Sequence, residues 1–183
     1  QIAEDYALST FKKKDSTGIC FIGERKFQSF LATYLKSQKG PFVHLETGKI
    51  LGQHPGQCYF TIGQRKGLGL GGPGGPWFVV DRNPKSNEVF VVEGEKHPAL
   101  FARDLTAIKA HWITRPLKGE HHLTAKIRYR QADQACRLIV NDDSLQVVFS
   151  TPQRAISPGQ VIVFYQDDLC LGSATIDSSG LSE

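Results

Sequence analysis

The sequence predicts a mainly β protein, in which a small α+β central region is followed by a C-terminal antiparallel β-barrel. Three observations lead to this fold class. One apolar stripe with helical spacing precedes residue 40, and beyond it apolar and polar residues alternate with a period of two over short runs. Turn-forming clusters such as Asn141–Asp143 and Ser157–Gly159 separate these runs, and short strands at this spacing are typical of a small closed barrel.

The bulk properties are those of an ordinary globular chain. A length of 183 residues can bury one sizeable core or two small ones. The net charge of +4 permits an anionic partner without demanding one. No apolar run approaches the roughly 20 residues that cross a bilayer, and the start of the chain has no secretory signal. We therefore expect a cytoplasmic protein with no membrane contact.

Four cysteines, Cys20, Cys58, Cys136 and Cys170, are widely separated and form no CxxC pair. This spacing argues against a zinc knuckle, and we predict no metal site. In a reducing cytosol the thiols would be free, and any disulfide would be transient. The last three cysteines fall on predicted strands, and we interpret them as packing residues.

The segment Asp15–Gly23 contains the strongest candidate for chemistry, Cys20. The segment is turn-prone, is bounded by glycines and follows the cationic run Lys12–Lys14. Nearby positive charge favours the thiolate, which is the nucleophilic form of cysteine, and glycines let another molecule approach closely. The alternative interpretation is a small buried hydrophobe between two apolar neighbours.

Helices are predicted only in the first 40 residues. Residues 1–10 read as the frayed end of one helix, and a second is predicted from Glu24 up to the Gly40-Pro41 pair. Its apolar stripe consists of Phe27, Phe30, Leu31, Tyr34 and Leu35. The strands predicted next are Phe42–Leu45, Lys49–His54, Gln57–Ile62, Trp77–Arg82 and Glu88–Glu93. The first two and the last two of these strands each form a hairpin.

The glycine-rich stretch Gly63–Pro76 superficially resembles a nucleotide-phosphate loop. A dinucleotide fingerprint needs a helix directly after it, whereas here prolines and then a strand follow, so we reject that interpretation. We expect a mobile loop that orders over a partner, with Arg65 and Lys66 at its base contacting phosphates. The alternative is an inert hairpin connection.

The barrel strands are predicted at Leu105–Trp112, His122–Arg130, Cys136–Val140, Leu145–Ser150, Val161–Gln166 and Leu169–Ile176. Residues Ser178–Glu183 are expected to form a loose tail. The six histidines show no ligand spacing, and we interpret them as structural or surface residues.

The predicted strand His122–Arg130 is the most basic of these elements. Alternation places Lys126, Arg128 and Arg130 on one face, roughly 7 Å apart, and Tyr129 on the opposite, apolar face. That spacing is close to the separation of phosphates along a nucleic-acid strand. No acidic residue interrupts the row within the strand, and Arg137 and Arg154 would add to it if the fold brings them near. The alternative is a solvated outer face of the barrel.

Five long words carry a resemblance to a known family: KKDSTGICFIGERKFQSFL, YFTIGQRKGLGLGG, AKIRYRQ, VVFSTPQRAISPGQ and CLGSATI. Their order and length make the chain similar to the C-terminal half of the tRNA-specific 2-thiouridylases. The resemblance implies that Cys20 carries a persulfide and that Arg128, Tyr129 and Gln160 contact tRNA. It also implies a sulfur-donor protein as a partner, and ATP that adenylates the C2 oxygen of the wobble uridine before sulfur replaces it.

ATP is expected to bind outside this sequence. The chain begins with Gln1, contains no methionine and has no SGGVDSS-type loop, so we expect a C-terminal piece of a longer enzyme that is inactive alone. The resemblance implies a remnant of the catalytic domain at 1–23, a central domain at 24–97 and a barrel at 98–183. Two competing hypotheses remain: a non-catalytic RNA-binding or protein-docking barrel in which Cys20 is incidental, and a nucleotide-binding enzyme that uses the glycine-rich loop.

Overall fold

The computed structural model describes residues 2–7, 33–34, 38–113 and 115–180. The chain divides into two compact units, Gln1–Ser37 and Gln38–Glu183. In the first unit the structure describes a short helix, α1 (Ile2–Asp5), and a turn at residues 33–34. The Cys20 segment and almost all of the helix predicted from Glu24 lie outside the described residues. The three-part division therefore stays a prediction.

The second unit begins with a small four-stranded sheet in the order β2-β1-β4-β3. Its strands are β1 (Gly40–His44), β2 (Ile50–His54), β3 (Trp77–Asn83) and β4 (Glu88–Glu93). Both predicted hairpins are confirmed, because β1 pairs with β2 and β3 with β4 in antiparallel fashion. A parallel pairing of β1 with β4 joins the two hairpins into one sheet.

The strand predicted at Gln57–Ile62 is wrong. Residues Gln57–Tyr59 form a 3-10 helix, in which the amides of Tyr59 and Phe60 donate to the carbonyls of Gly56 and Gln57. The backbone satisfies its hydrogen bonds within this turn and not in a ladder. Phe60 then packs edge-on against Phe42 in the core of the sheet.

The rest of the second unit is a closed antiparallel barrel in the order β10-β5-β8-β7-β6-β9, which confirms the predicted fold class. Its strands are β5 (Phe101–Trp112), β6 (Gly119–Lys126), β7 (Gln134–Val140), β8 (Leu145–Arg154), β9 (Val161–Gln166) and β10 (Leu169–Ser179). Alternate residues of each strand face inward, as a barrel requires. The fully buried residues include Leu138, Val147, Ile162 and Phe164.

Two long strands, β5 and β10, bend around this core. Their pairing shifts register twice, and such irregularities let a strand curve in a barrel. At Gly172 a Cβ would collide with the carbonyl oxygen of His111, so the close approach of β10 to β5 requires glycine there. β10 continues to Ser179, so the prediction that Ser178 and Ser179 belong to a loose tail is wrong.

The strand predicted at His122–Arg130 ends earlier than expected. β6 stops at Lys126, and the carbonyl of Arg128 accepts the amide of Gln131 at 3.1 Å to close a turn. The chain must reverse here because Ala125 of β6 already pairs with Gln134 of β7. Three cations therefore do not form a row on one strand.

The barrel core generates a stability prediction. Phe164 is fully buried and stacks on Trp112 with ring centroids 5.8 Å apart. Phe164→Ala should lower the free energy of unfolding by about 3–5 kcal/mol, because it removes the ring and leaves a cavity. Urea denaturation followed by tryptophan fluorescence measures this loss. Val161→Ala on the same strand, where the side chain is 52% exposed, should cost less than about 1 kcal/mol, and equal losses would contradict the inward placement of Phe164.

Candidate nucleic-acid interface

An open groove of about 600 Å³ lies at the end of the barrel where β6 stops and β9 begins. Four of the residues predicted to contact RNA line it: Lys126, Arg128, Tyr129 and Gln160. The first three follow one another closely at the end of β6, whereas Gln160 comes from the β8–β9 connection. Barrel closure therefore brings together residues that are 30 or more positions apart in the chain.

The lining of the groove also includes apolar and aromatic side chains. Val161, Val163 and Tyr165 project from β9. Nucleic acids present flat apolar bases together with anionic phosphates, and single-strand binding sites combine aromatic surfaces with cations for that reason. The composition of the groove matches this pattern.

Tyr129 is 90% exposed, although alternation along a strand predicted it on the apolar face. That prediction is wrong because β6 has already ended, and Tyr129 occupies a central position of the turn from Arg128 to Gln131. A turn is not bound by the period of two, so it can carry an aromatic ring away from the core. The exposed ring is available to stack on a base.

Arg128 and Arg130 flank this tyrosine and are both exposed. The Arg128 guanidinium donates through Nη2 to the carbonyl of Ala155 at 2.7 Å. Arginine carries five N–H donors, so one hydrogen bond orients the group and leaves donors that suit a phosphate. Arg130 occupies the other central position of the turn, and its predicted role in binding stays a prediction.

Lys126 has a different environment from Arg128. Its Nζ lies 3.3 Å from Asp133 and 5.2 Å from the centroid of the Tyr165 ring. No acidic residue lies within residues 122–130, but Asp133 neutralises part of this charge after the turn reverses the chain. Lys126 therefore lines the groove as an ion-paired residue and not as an unpaired cation.

Arg154 lies where the barrel meets the small sheet. Its guanidinium carbon is 5.2 Å from the centroid of Phe78 in β3. The backbone of Gly63 packs against the same corner, where a Cβ would approach that of Ala155 to 2.6 Å. Gln64 separates Gly63 from the exposed Arg65 and Lys66. Ala155 thus lies beside Gly63 of the small sheet and also accepts the hydrogen bond from Arg128 of the groove.

Both ends of the glycine-rich loop are hydrogen-bonded to the small sheet, and the expected mobility of the loop stays a prediction. Gly63 and Gln64 exchange backbone hydrogen bonds with Val79 of β3, at 2.7 and 3.0 Å. Leu68 is only 7% exposed, and the amide of Gly75 donates to Glu93. The loop leads into β3 and not into a helix, which agrees with the rejection of a nucleotide-phosphate loop.

The cysteines differ in accessibility. Cys20 lies outside the described residues, so its role stays a prediction. Cys58 is exposed on the 3-10 helix, which corrects its interpretation as a packing residue on a strand. Cys136 is buried in the barrel core as predicted, and desolvation raises the pKa of its thiol to about 12. Cys170 is half-buried on β10, and these three thiols are free.

His54 is the buried histidine of the small sheet, in agreement with a structural role. Its ring packs edge-on against Phe42 and Phe60, and Nδ1 accepts the amide of Gly56 at 3.1 Å. Burial lowers the pKa of His54, which keeps the ring neutral. Among the described residues, no group of three His, Cys, Asp or Glu side chains could hold a metal ion, and no helix is long and apolar enough to cross a membrane.

Sequence reasoning missed the residues that support the groove. Asp133 and Tyr165 flank Lys126, and the side chains of Gln131 and Gln153 hydrogen-bond beneath the turn at 2.6 Å. One signal was available: in β8 the inward-facing residues alternate through Val147 and Phe149, and this face then continues to Gln153, which is 4% exposed. A glutamine at an inward-facing position needs buried partners.

Comparisons with known proteins agree with this architecture. A family model described as the tRNA methyl transferase PRC-barrel domain matches residues 28–93, and one described as the aminomethyltransferase beta-barrel domain matches residues 102–176. The tRNA-specific 2-thiouridylase MnmA of Pectobacterium carotovorum subsp. carotovorum (strain PC1) is 51% identical over 183 residues, which cover 97% of this chain and 50% of the relative.

Two other bacteria have relatives of similar identity. The tRNA-specific 2-thiouridylase MnmA of Halalkalibacterium halodurans is 51% identical over 178 residues, covering 96% of this chain and 48% of the relative. That of Francisella tularensis subsp. tularensis (strain WY96-3418) is 50% identical over 182 residues, covering 96% and 50%. The chain thus spans about half the length of the curated relatives it matches.

The cysteine environments generate a labelling prediction. With a pKa of about 12, roughly one Cys136 thiol in ten thousand is ionised at pH 8, and the side chain is also shielded from reagents. Iodoacetamide should therefore modify Cys58 in the native protein and reach Cys136 only after denaturation, as peptide mass spectrometry can show. Cys58→Ser should remove the first signal without exposing the second. Native labelling of Cys136 at the rate of Cys58 would contradict its burial.

Proposed function

We propose, because this chain belongs to the family of tRNA-specific 2-thiouridylases, that its barrel and small sheet hold tRNA while Cys20 delivers sulfur to the wobble uridine. The observation that carries the binding half of this proposal is the groove at the end of β6. It gathers Arg128, Tyr129 and Gln160, the residues for which the sequence motifs predicted RNA contact, on one accessible surface.

The chemistry of the groove suits a nucleotide. Arg128 supplies charged donors for a phosphate, and Tyr129 supplies an exposed ring for a base. The backbone of Gln160 is held on both sides, since its amide donates to Ser157 and its carbonyl accepts from Ile176. Its side-chain amide is thereby placed in the groove wall, where it can donate and accept at a base edge or a ribose hydroxyl.

The RNA-contacting surface extends from the groove to the small sheet. Arg154 precedes Ala155, whose carbonyl binds Arg128, and the exposed Arg65 and Lys66 lie two and three positions after Gly63, which packs beside Ala155. Cations spread over two sheets can meet the phosphates of more than one stretch of RNA. A folded RNA such as tRNA fits this arrangement better than an isolated nucleotide does.

The role of Cys20 in the proposal is supported by its sequence motif, DSTGICF, and by the cationic run before it. A sulfur-donor protein loads Cys20 as a persulfide. The terminal sulfur attacks C2 of the activated uridine, and the activated oxygen leaves as AMP. A second cysteine, outside this chain, then attacks the Cys20 sulfur, which releases 2-thiouridine, and a thiol reductant of the cytoplasm later reduces the resulting disulfide.

ATP binding is assigned elsewhere in this proposal. Support for this assignment comes from the glycine-rich loop, which runs into β3 and not into a helix, and whose first residues, Gly63 and Gln64, bond to the sheet backbone. We place activation of the uridine in the half of the relatives' length that the chain does not span. The alternative function is an RNA-binding or protein-docking module in which Cys20 takes no part.

The docking role predicts a loss of tRNA affinity for Arg128→Ala in the intact enzyme. Removing one cation that contacts a phosphate should weaken binding about tenfold at low salt and reduce the slope of log K against log salt by about 1. Filter binding of substrate tRNA across a salt series measures both quantities. Tyr129→Ala should weaken binding by a similar factor without changing the slope, because stacking releases no counterions.

The matched control is Arg103→Ala. Arg103 is also exposed and also donates to a carbonyl of β8, that of Ser150 at 3.3 Å, but it does not line the groove. It should leave the affinity and the salt slope near those of the unmodified enzyme. Equal behaviour of the Arg103 and Arg128 variants would argue that only the net charge matters and would count against the groove.

The sulfur-transfer role predicts that Cys20→Ser abolishes 2-thiouridine formation by the intact enzyme, because a hydroxyl cannot carry a persulfide. Single-turnover assays with mass spectrometry of the tRNA nucleosides measure the product. tRNA affinity should stay unchanged, and Cys58→Ser should thiolate at the normal rate, since that exposed thiol lies outside the DSTGICF motif. A Cys20→Ser enzyme of normal rate would favour the docking-module alternative.

A further inference from the structure

A relay of three glutamine side chains runs beneath the turn that carries Arg128, Tyr129 and Arg130. The amide of Ile127 donates to Gln131 Oε1 at 3.1 Å, and Gln131 Nε2 donates to Gln153 Oε1 at 2.6 Å. Gln153 Nε2 then donates to Gln134 Oε1 at 3.1 Å and to the carbonyl of Thr151 at 2.8 Å. The relay thus connects the backbone at the start of the turn to the backbone of β8.

Backbone groups at both ends determine the polarity of the relay. The Ile127 N–H can only donate, so Gln131 must present its oxygen there and its NH₂ to Gln153. Gln153 must then accept with its oxygen, which leaves its NH₂ to face the Thr151 carbonyl, a group that can only accept. The two requirements agree, so all the amides are satisfied in one orientation. Such a network permits one arrangement of the turn.

A further hydrogen bond, made by the Arg128 side chain, also holds this turn. Arg128 Nη2 donates to the carbonyl of Ala155, the residue that directly follows β8 and lies two positions beyond Gln153. Ala155 is itself held by the hydrogen bond of its amide to Leu100, at 2.6 Å. The end of β8 therefore fixes both the backbone of the turn and the direction of its first arginine.

We infer that Gln153 is a positioning residue for tRNA recognition, which acts through Gln131 to hold Arg128 and Tyr129 in their binding geometry; this inference rests on the proposed function. Gln153 is 4% exposed and does not line the groove, so it acts on RNA only through the turn. Its amide is required because the position must accept from one side and donate to the other. An apolar side chain of equal length fills the space without making either bond.

The test compares Gln153→Met, Gln131→Met and Gln146→Met in the intact enzyme. Gln146 is the matched control, because it lies exposed on the same strand and outside the relay. Both relay variants should bind tRNA about tenfold more weakly than the control, through loss of pre-organisation. Gln131 is half-buried, so Gln131→Met breaks the relay with less risk to folding. It tests the inference even if the Gln153→Met enzyme does not fold.

Two further readouts separate positioning from a general loss of stability. Limited trypsin digestion without RNA should release the peptide ending at Arg130 at least threefold faster in the relay variants than in the control. In a Tyr129→Ala, Arg128→Ala background the relay variants should cost no further affinity, because the groups they position are gone. An additive loss in that background, or normal affinity and normal cleavage of Gln131→Met, would overturn the inference.

The same variants distinguish a failure of the proposed docking function from a failure of the positioning role alone. If Arg128→Ala and Tyr129→Ala bind tRNA normally, the groove is not the docking site, and the tRNA role of Gln153 is overturned with it. If those two variants bind weakly while Gln131→Met and Gln153→Met bind normally, the docking proposal stands and only the positioning role is overturned.

Discussion

Closure of the barrel is the constraint on which the rest of the structure depends. β6 must pair with β7 on one side and β9 on the other, and its pairing with β7 reaches Gln134 by Ala125. The chain therefore has to reverse within a few residues after Lys126. That reversal creates an exposed turn at the rim of the barrel, which is where loops that bind partners are commonly carried by a rigid scaffold.

The turn at the rim of the barrel is held by polar side chains that would be unfavourable in the barrel core without hydrogen-bond partners. Gln153 faces inward at the end of β8, where an unpartnered amide would cost free energy, and its hydrogen bonds to Gln131 and Thr151 remove that cost. The same bonds specify the shape of the turn. Because the buried amide of Gln153 must be hydrogen-bonded, the turn that carries Arg128 and Tyr129 is held in one position.

The cations of this surface are not equivalent. Lys126 is paired with Asp133 and covered by Tyr165, whereas Arg128 is oriented by a neutral carbonyl and keeps its charge uncompensated by that contact. A carbonyl orients a guanidinium without neutralising it, so Arg128 keeps a positive charge that can attract an anion. Arg154 adds a cation from the far side of β8, next to the glycine-rich loop of the small sheet.

The sequence alone determined the fold class, both hairpins of the small sheet, the closed barrel and the buried place of Cys136, because hydrophobic periodicity and turn residues are local signals. It could not show that Gln57 begins a 3-10 helix or that β6 ends at Lys126, since both depend on which distant strand supplies the hydrogen bonds. Only the tertiary structure placed Tyr129 outside, paired Lys126 with Asp133 and brought Gln160 beside Arg128. Those placements follow from pairing between strands far apart in the chain, which no local pattern records.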